Sequence, residues 1–179
     1  TKGPAGVGPG PQPLNNVPAT ALPSPLLLAS TWDPLMAQKY GNVQGLEMRA
    51  IGRNLLEAPD VDLARVPVNG RTFEAFGEDP WLVSRIGVAN IPAIQSHDII
   101  AMVKHYTVNN QEKDRNVIDV QVSDRALREL YLPPFEAAVR EAQVASVMCA
   151  YNSVNGAFSC ENEQLLTTIL KEEWGFRGF

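Results

Sequence analysis

The polar segment at residues 104–112 is the part of the sequence best suited to chemistry. It opens with a lysine and a histidine, Lys104 and His105, continues through amides and ends in the carboxylate of Glu112. A sugar hydroxyl both donates and accepts hydrogen bonds, so it suits a mixture of cationic donors, amides and a carboxylate. The composition of this segment therefore points to a ligand rich in hydroxyls, such as a sugar.

An apolar run at residues 99–103 comes directly before this segment and predicts a buried strand. Two further polar clusters, at residues 59–71 and 151–156, also follow predicted strands. Strands that are apolar along their length and polar at their C-terminal ends are typical of an α/β barrel, which builds its site at that face. We therefore expect the three clusters to converge.

Predicted strands and helices alternate along the chain about four times. Asp33-Pro34 and Asp79-Pro80 each supply a capping residue followed by a proline, which predicts helices to about residues 53 and 95. Residues 26–29 are expected to form a short strand, and residues 55–63 a strand broken by a proline. A helix is expected from Ser123 to about residue 142, interrupted by two prolines, and another at residues 161–174.

Such alternation predicts parallel strands joined by crossover helices. No glycine-rich phosphate turn follows a predicted strand, which disfavours a doubly wound nucleotide-binding sheet. A complete barrel of this type takes about 250 residues, and this chain has 179. We therefore expect an α/β domain of the (β/α)8 TIM-barrel type that is incomplete, with roughly four to five βα units.

The two ends of the chain carry their own expectations. Residues 1–25 are rich in glycine and proline and predict a loop. The chain opens on Thr1 within that loop and stops at Phe179 after Gly-Phe-Arg-Gly. We expect both ends to be truncated, so that residues 1–179 are part of one barrel domain and further domains of the same protein follow it.

Composition excludes some partners. The formal net charge is −5 and the 15 lysines and arginines are scattered, so binding to nucleic acid is not expected. No apolar run approaches a membrane span, and no membrane association is expected. The two histidines, His97 and His105, do not have the spacing of a common metal site, and we expect neither a metal nor a cofactor.

Arg71 and Lys104 are the strongest candidate ligand-binding residues. The guanidinium of Arg71 can hold vicinal hydroxyls or a carboxylate, although a structural salt bridge with Glu74, Glu78 or Asp79 explains it nearly as well. Lys104 and His105 are adjacent, so on a regular strand one would face the site and the other the wall. Lys104 could alternatively form a Schiff base, as in a barrel aldolase.

Cys149 and Cys160 bracket a single turn at Asn155-Gly156. They could close a loop of roughly a dozen residues, a cross-link that contributes about 2–3 kcal/mol to stability. Two unrelated reduced thiols are the alternative. A disulfide would favour an extracytoplasmic compartment.

Motifs along most of the chain resemble those of glycoside hydrolase family 3, and most closely those of its β-glucosidase branch. The motifs are TALP (20–23), GRTFEAFGEDP (70–80), KHY (104–106) with NNQE (109–112), VMCAYN (147–152) with VNG (154–156), and EWGFRGF (173–179). Several long motifs in the right order make the resemblance specific. The branches that act on β-glucosides and on β-xylosides share these motifs, so the sequence does not separate the two substrates.

The resemblance implies retaining hydrolysis of terminal β-D-glycosyl, most simply β-D-glucosyl, residues by a longer protein. Retention requires two carboxyl groups about 5 Å apart, a nucleophile and an acid/base. In the family the nucleophile is an aspartate just beyond the segment that matches residues 175–179, and the acid/base is a glutamate in a later domain. Neither matches a residue of this chain, so the chain alone is expected to be inactive.

The resemblance also assigns binding roles. It implies that Arg71, Lys104 and His105 bind hydroxyls of the terminal sugar and that Met148 and Tyr151 line its pocket. The pair Cys149 and Cys160 resembles a disulfide of secreted members, which favours a secreted or periplasmic protein.

One position departs from the family. Lys2 stands where the family has an aspartate that grips sugar hydroxyls. The change turns an acceptor into a cationic donor, so three cations would either repel or favour an anionic or altered sugar. Together with the missing acids, this departure motivates an alternative, a non-catalytic sugar-binding relative.

Overall fold

The computed structural model describes residues 1–8 and 18–179. Part of the predicted N-terminal loop, residues 9–17, lies outside the described residues. The helices are α1 (Pro25–Ala29), α2 (Pro34–Ala50), α3 (Pro80–Gln95), α4 (Asp124–Ala126) and α5 (Pro133–Arg140), with a 3₁₀ turn at Thr72–Glu74 and π-helical segments at Leu127–Tyr131 and Gln164–Glu173. The strands are β1 (Leu55–Leu56), β2 (Asp60–Leu63), β3 (Ala75–Gly77), β4 (Ile100–Tyr106), β5 (Asp119–Val120), β6 (Ser146–Cys149), β7 (Ser153–Val154) and β8 (Ala157–Phe158).

The main sheet is parallel throughout the described residues. β1 and β2 are two parts of one extended segment that pairs with β4, β3 lies outside β2, and β6 lies on the other side of β4. The backbone N–H of Val147 in β6 donates to the carbonyl oxygen of Phe179 at 2.9 Å. Parallel strands joined by helices confirm the predicted α/β barrel class, and the sheet does not close on itself within the described residues.

Two small strand regions were not predicted. β3 is only three residues long, too short to show an alternating pattern. β7 and β8 form a hairpin around Asn155 and Gly156, whose φ angles are 51° and 96°. Both residue types tolerate positive φ, which explains the tight turn that the sequence predicted there. β5 pairs with β7 and thereby links the segment after β4 to the segment after β6.

The capped helices form as expected. Asp33 accepts a hydrogen bond from the N–H of Leu35 at the start of α2, and Asp79 accepts one from Trp81 at the start of α3. Pro92 lies inside α3, which continues to Gln95. None of the helices in the described ranges is both long and apolar enough to cross a membrane.

One prediction of local structure was wrong, and a second was confirmed. Residues 26–29 form most of α1 rather than a strand, because Ser24 caps the helix and Pro25 takes its first position. The prolines at 133 and 134 interrupt the helix that begins after Ser123, as predicted, because the π-helical segment ends at Tyr131 and α5 begins at Pro133. Leu132 keeps helical dihedral angles, and its carbonyl accepts from the N–H of Glu136. Proline is tolerated at the first turn of a helix, and α5 restarts there.

Tyr106 anchors the site-bearing strand β4 in the core. Its side chain is fully buried and lies edge-on to Phe135 and Trp174, with ring centroids 5.2 and 6.0 Å away. Its hydroxyl donates to the carbonyl oxygen of Leu165 at 2.9 Å. A buried tyrosine needs such a partner. The contacts tie the end of β4 to α5 and to the C-terminal helical segment, and so hold Lys104 and His105 in place.

Candidate functional site

Lys104 and His105 both reach one buried cluster at the C-terminal end of β4. They are 3% and 6% exposed. The pairing of β4 with β6 shifts register between Val103 and Tyr106, an irregularity that breaks the simple alternation of side chains. The sequence-based alternative, with one side chain in the site and the other in the wall, is therefore wrong.

Arg71 enters the same cluster from the loop before β3. Its Nε and Nη2 donate to the two carboxylate oxygens of Glu74 at 3.1 and 2.8 Å, and its Nη1 lies 3.3 Å from Glu112 and 3.2 Å from Nε2 of His105. The backbone N–H of Arg71 donates to Asn69, which sets the direction of the loop. The predicted salt bridge with Glu74 is thus present, and it forms inside the candidate site.

Glu74 joins the two cations of the cluster. Besides its two bonds with Arg71, it lies 3.5 Å from Nζ of Lys104. Burial would raise the pKa of Glu74, but hydrogen bonding by Arg71 and the charge of Lys104 outweigh burial and lower it. Lys104 is therefore held in an ion pair with a carboxylate, a position that disfavours attack on a carbonyl group and so a Schiff-base role.

His105 lies between a carboxylate and a guanidinium. Its Nδ1 is 2.8 Å from Oδ2 of Asp62, and the same oxygen accepts from the backbone N–H of His105 at 3.2 Å. Burial lowers the pKa of His105 to about 4, and the nearby cations Lys104 and Arg71 add to the effect. The imidazole is therefore neutral at ordinary pH.

Asp60 and Asp62 are functional candidates that the sequence-based reasoning missed. Both lie in β2, and they are 3% and 9% exposed. Burial raises the pKa of each to about 7, and for Asp60 the charge of Asp62 adds to the effect. Their spacing was a usable signal, because residues two apart on a strand point to the same face.

Glu112 connects Arg71 to further polar residues. Glu112 accepts from Nδ2 of Asn109 at 2.9 Å and from Nη1 of Arg115 at 2.7 Å. The guanidinium of Arg115 in turn lies 4.8 Å from the centre of the Tyr151 ring. Tyr151 is 59% exposed. It is linked to Arg71 through this chain of contacts.

Three further sequence-predicted positions lie in β6 and in the segment after β8. Met148 is half-buried in β6, next to β4. Cys149 and Cys160 are joined in a disulfide with their Cα atoms 5.3 Å apart, which ties the end of β6 to the segment after β8. The polar segments after β2, β4 and β6 thus lie on neighbouring parallel strands, as the predicted convergence requires.

Lys2 lies next to the extended segment that contains β1 and β2. It forms a parallel bridge with Glu57, and its carbonyl oxygen accepts from the N–H of Gly8 at 2.9 Å. Its side chain is exposed and makes no hydrogen bond or ion pair with the described residues. Arg71 and Lys104 are each paired with carboxylates, so Lys2 does not meet two uncompensated cations.

Asp60, Asp62 and His105 could supply three ligand atoms to a metal, since those atoms lie within 4.8 Å of one another. The surroundings do not suit a cation. Nδ1 of His105 is already hydrogen-bonded to Asp62, and the ammonium of Lys104 and the guanidinium of Arg71 both act on the cluster. We therefore describe the group as a hydrogen-bonded cluster of a buried acid pair and a neutral histidine.

The raised pKa of Asp60 predicts a pH-dependent stability. Its folded pKa of about 7 lies above its ordinary value of 3.8, so the folded state binds more protons between these values. The contribution of Asp60 to the free energy of unfolding is fully present below pH 3.8 and is lost as the pH rises through 7. Asp60→Asn removes this proton uptake. We expect the stability of the wild type relative to Asp60→Asn to fall from pH 5 to pH 8, as measured by urea unfolding.

The variant Asp98→Asn is the control for this prediction, because Asp98 is an exposed residue whose ion pair with Arg49 also lies on the surface. Its stability difference from the wild type should stay nearly constant over the same range. A difference for Asp60→Asn that does not change with pH would contradict the assignment of a buried carboxyl that keeps its proton near neutrality.

Comparison with known proteins gives a consistent result. A family model described as "Glycosyl hydrolase family 3 N terminal domain" matches residues 13–179. Beta-glucosidase BoGH3A of Bacteroides ovatus is 47% identical over 163 residues, which cover 91% of this chain and 22% of that protein. An exo-alpha-(1->6)-L-arabinopyranosidase of Bifidobacterium breve is 40% identical over 164 residues, 92% of this chain and 22% of that protein.

Among solved structures, beta-glucosidase 3B from Thermotoga neapolitana in complex with glucose superposes with a TM-score of 0.93 at 43% identity. The match covers 99% of this chain and 25% of that one. The chain thus spans between a fifth and a quarter of the length of these relatives. The superposition agrees with the TIM-barrel-like α/β fold described above.

Proposed function

The chain belongs to glycosyl hydrolase family 3, and from this membership we propose that it forms the sugar-holding part of the N-terminal barrel of a longer β-glucosidase. The longer protein would hydrolyse terminal β-D-glucosyl residues with retention. The observation that carries the proposal is the cluster of half-buried Arg71 with buried Lys104 and His105 at the C-terminal end of β4, where a barrel of this class places its site.

The cluster is organised to hold hydroxyls. Arg71 and Lys104 are donors only, and Glu74 compensates both charges and fixes their directions. A hydrogen bond from a charged donor contributes about 1.5–3 kcal/mol. Preorganised donors of this kind can select a sugar by the positions of its hydroxyls. Met148 and Tyr151 would line the same pocket.

The carboxyl groups of the cluster already have other roles. Glu74 and Glu112 are bound to Arg71, and Asp60 and Asp62 are buried together beside His105. A retaining nucleophile must be free to attack the sugar. We therefore assign both catalytic carboxyl groups to parts of the longer protein outside residues 1–179, in agreement with the family pattern.

The substrate is proposed as a β-D-glucoside because relatives named β-glucosidases match at up to 47% identity. The relative named an arabinopyranosidase shows that the family region also accompanies another sugar specificity. Lys2 supports a second candidate, a sugar-binding relative without hydrolytic activity. An exposed cation there would replace an acceptor that the family uses on the sugar.

Hydrolysis assays on two proteins test the proposal. We expect the longer protein that contains this chain to release nitrophenol from nitrophenyl β-glucoside and to yield β-glucose first, as followed by NMR of the anomeric proton. Retention requires the two carboxyl groups described above, so the 179-residue chain alone should show no turnover. A longer protein that binds glucose without hydrolysing any β-glycoside would support the sugar-binding candidate, and an inverted product would contradict the mechanism.

A further inference from the structure

The buried acid pair next to His105 has no assigned role in sugar binding. We propose that Asp62, supported by Asp60, is a positioning residue that keeps the proton of neutral His105 on Nδ1, so that Nε2 accepts a hydrogen bond from a hydroxyl of the bound sugar. The inference rests on the proposed function, because it concerns the same sugar site.

The contacts on the Nδ1 side assign the proton to that nitrogen. Oδ2 of Asp62 lies 2.8 Å from Nδ1 and also accepts from the backbone N–H of His105 at 3.2 Å. The second bond fixes the position of that oxygen relative to the ring. Asp60 adds a further oxygen 3.5 Å from Nδ1. An imidazole nitrogen that faces carboxyl oxygens in this way is best satisfied as an N–H donor.

The contact on the Nε2 side leads independently to the same tautomer. Nη1 of Arg71 lies 3.2 Å from Nε2 of His105. A guanidinium donates and never accepts, so Nε2 must offer its lone pair at this distance. A doubly protonated ring would direct an N–H at the N–H of Arg71. Both sides of the ring therefore require a neutral imidazole with its proton on Nδ1.

The charges around the ring keep this state over the working pH range. The imidazole is faced by Asp60 and Asp62 on β2, by Lys104 on its own strand, and by Arg71 and Glu112 on the loops. Burial lowers the pKa of His105 to about 4 and raises the pKa of both aspartates to about 7. The backbone N–H of Asp62 donates to Oδ1 of Asp60 at 3.0 Å, which holds the two residues side by side. Because the pKa of each aspartate is raised, the pair offers an acceptor to Nδ1 without carrying two full charges near neutral pH.

An acceptor at Nε2 supplies what Arg71 and Lys104 lack. A sugar hydroxyl that accepts a hydrogen bond from either cation can still donate one, and neither cation can accept it. Nε2 of His105 can. When a hydroxyl occupies this position, Nη1 of Arg71 retains its contact with Glu112. The site would then distinguish a hydroxyl from a group that only accepts, such as fluorine.

Nitrogen NMR tests the tautomer directly and does not depend on activity. The protein is labelled with nitrogen-15 at histidine. The signals of His105 are assigned by their absence from His105→Gln, with His97→Gln, a change at a half-buried histidine away from the cluster, as the control. We expect a protonated Nδ1 and an unprotonated Nε2 between pH 5.5 and pH 8. Protonation of Nε2, or of both nitrogens, overturns the proposal.

Binding of fluorinated sugars tests the consequence. Calorimetry compares glucose with each monodeoxyfluoro glucose. We expect one analogue to bind about threefold to tenfold more weakly than glucose, the effect of one lost hydrogen bond. The penalty should shrink in Asp62→Leu and persist in Asp98→Asn. Equal penalties in the wild type and a folded Asp62→Leu overturn the positioning role. If Asp62→Leu does not fold, the tautomer of His105 measured by NMR on the wild type still tests the proposal.

The NMR and binding measurements distinguish a failure of the positioning role from a failure of the proposed function. A protein that binds glucose but carries the proton of His105 on Nε2 overturns the positioning role and leaves the proposed function standing. A protein with the proton on Nδ1 that does not bind glucose overturns the proposed function and, with it, the acceptor role of Nε2.

Discussion

Arg71→Ala in the longer protein is expected to lower kcat/KM for nitrophenyl β-glucoside about 10- to 150-fold for each charged hydrogen bond that Arg71 makes to the sugar. The loss should exceed that of one bond, because Arg71 also organises its neighbours. It holds Glu74 through two bonds and contacts both Glu112 and His105. Its removal leaves those partly buried groups to find new partners.

Arg71→Lys separates charge from geometry. Lysine keeps the positive charge but cannot form the paired contact with Glu74, because its ammonium is a single point of charge. We expect an intermediate loss of kcat/KM, with most of the activity still missing. An Arg71→Lys variant as active as the wild type would show that the positive charge alone suffices and that the planar arrangement of guanidinium donors is not needed for sugar binding.

Arg125→Ala is the control for both substitutions. Arg125 is an exposed arginine whose contact with Glu129 lies one helical turn away on the surface. The side chain of Arg125 is 84% exposed, so its removal should leave kcat/KM unchanged. Thermal unfolding of all three variants shows whether a loss of activity reflects a loss of the fold. Activity of folded Arg71→Ala within twofold of the wild type would contradict the assignment of Arg71 to the sugar site.

Lys2→Asp is expected to have the opposite effect, a gain in the affinity for glucose of about 10- to 150-fold. An aspartate there would restore a charged acceptor for sugar hydroxyls at the position where the family has one. The surroundings permit the change, because the Lys2 side chain is exposed while its backbone is held by the bridge to Glu57 and by the N–H of Gly8. Glucose binding by calorimetry measures the gain.

Two further variants show what a gain would mean. Lys2→Ala removes the cation without adding an acceptor, so it should recover only a small part of the gain. Lys171→Asp makes the same change of charge at an exposed site in the C-terminal helical segment and should leave affinity unaltered. If Lys2→Asp weakens glucose binding, or if the wild type prefers a uronic acid to glucose, then Lys2 is a determinant for an anionic sugar and the expected gain is wrong.

Local signals in the sequence were sufficient for most of the elements. The starts of α2 and α3 could be predicted because an aspartate before a proline both caps a helix and begins it. The apolar run before Lys104 predicted β4, although the strand continues through the polar pair to Tyr106. Residues 26–29 were misassigned because four apolar side chains suit a short strand as well as a helix, and only the cap at Ser24 decides between them.

The sequence by itself determined the class of fold, the polar strand ends and the residue types available for a sugar, since these depend on the order and spacing of side chains along the chain. Only the tertiary structure decided how those groups pair. Arg71 meets Glu112, and His105 meets Asp62, because β2 and β4 lie side by side in a particular register. Burial and the charges brought in by that register, and not the residue types, make His105 a neutral acceptor between an acid pair and an arginine.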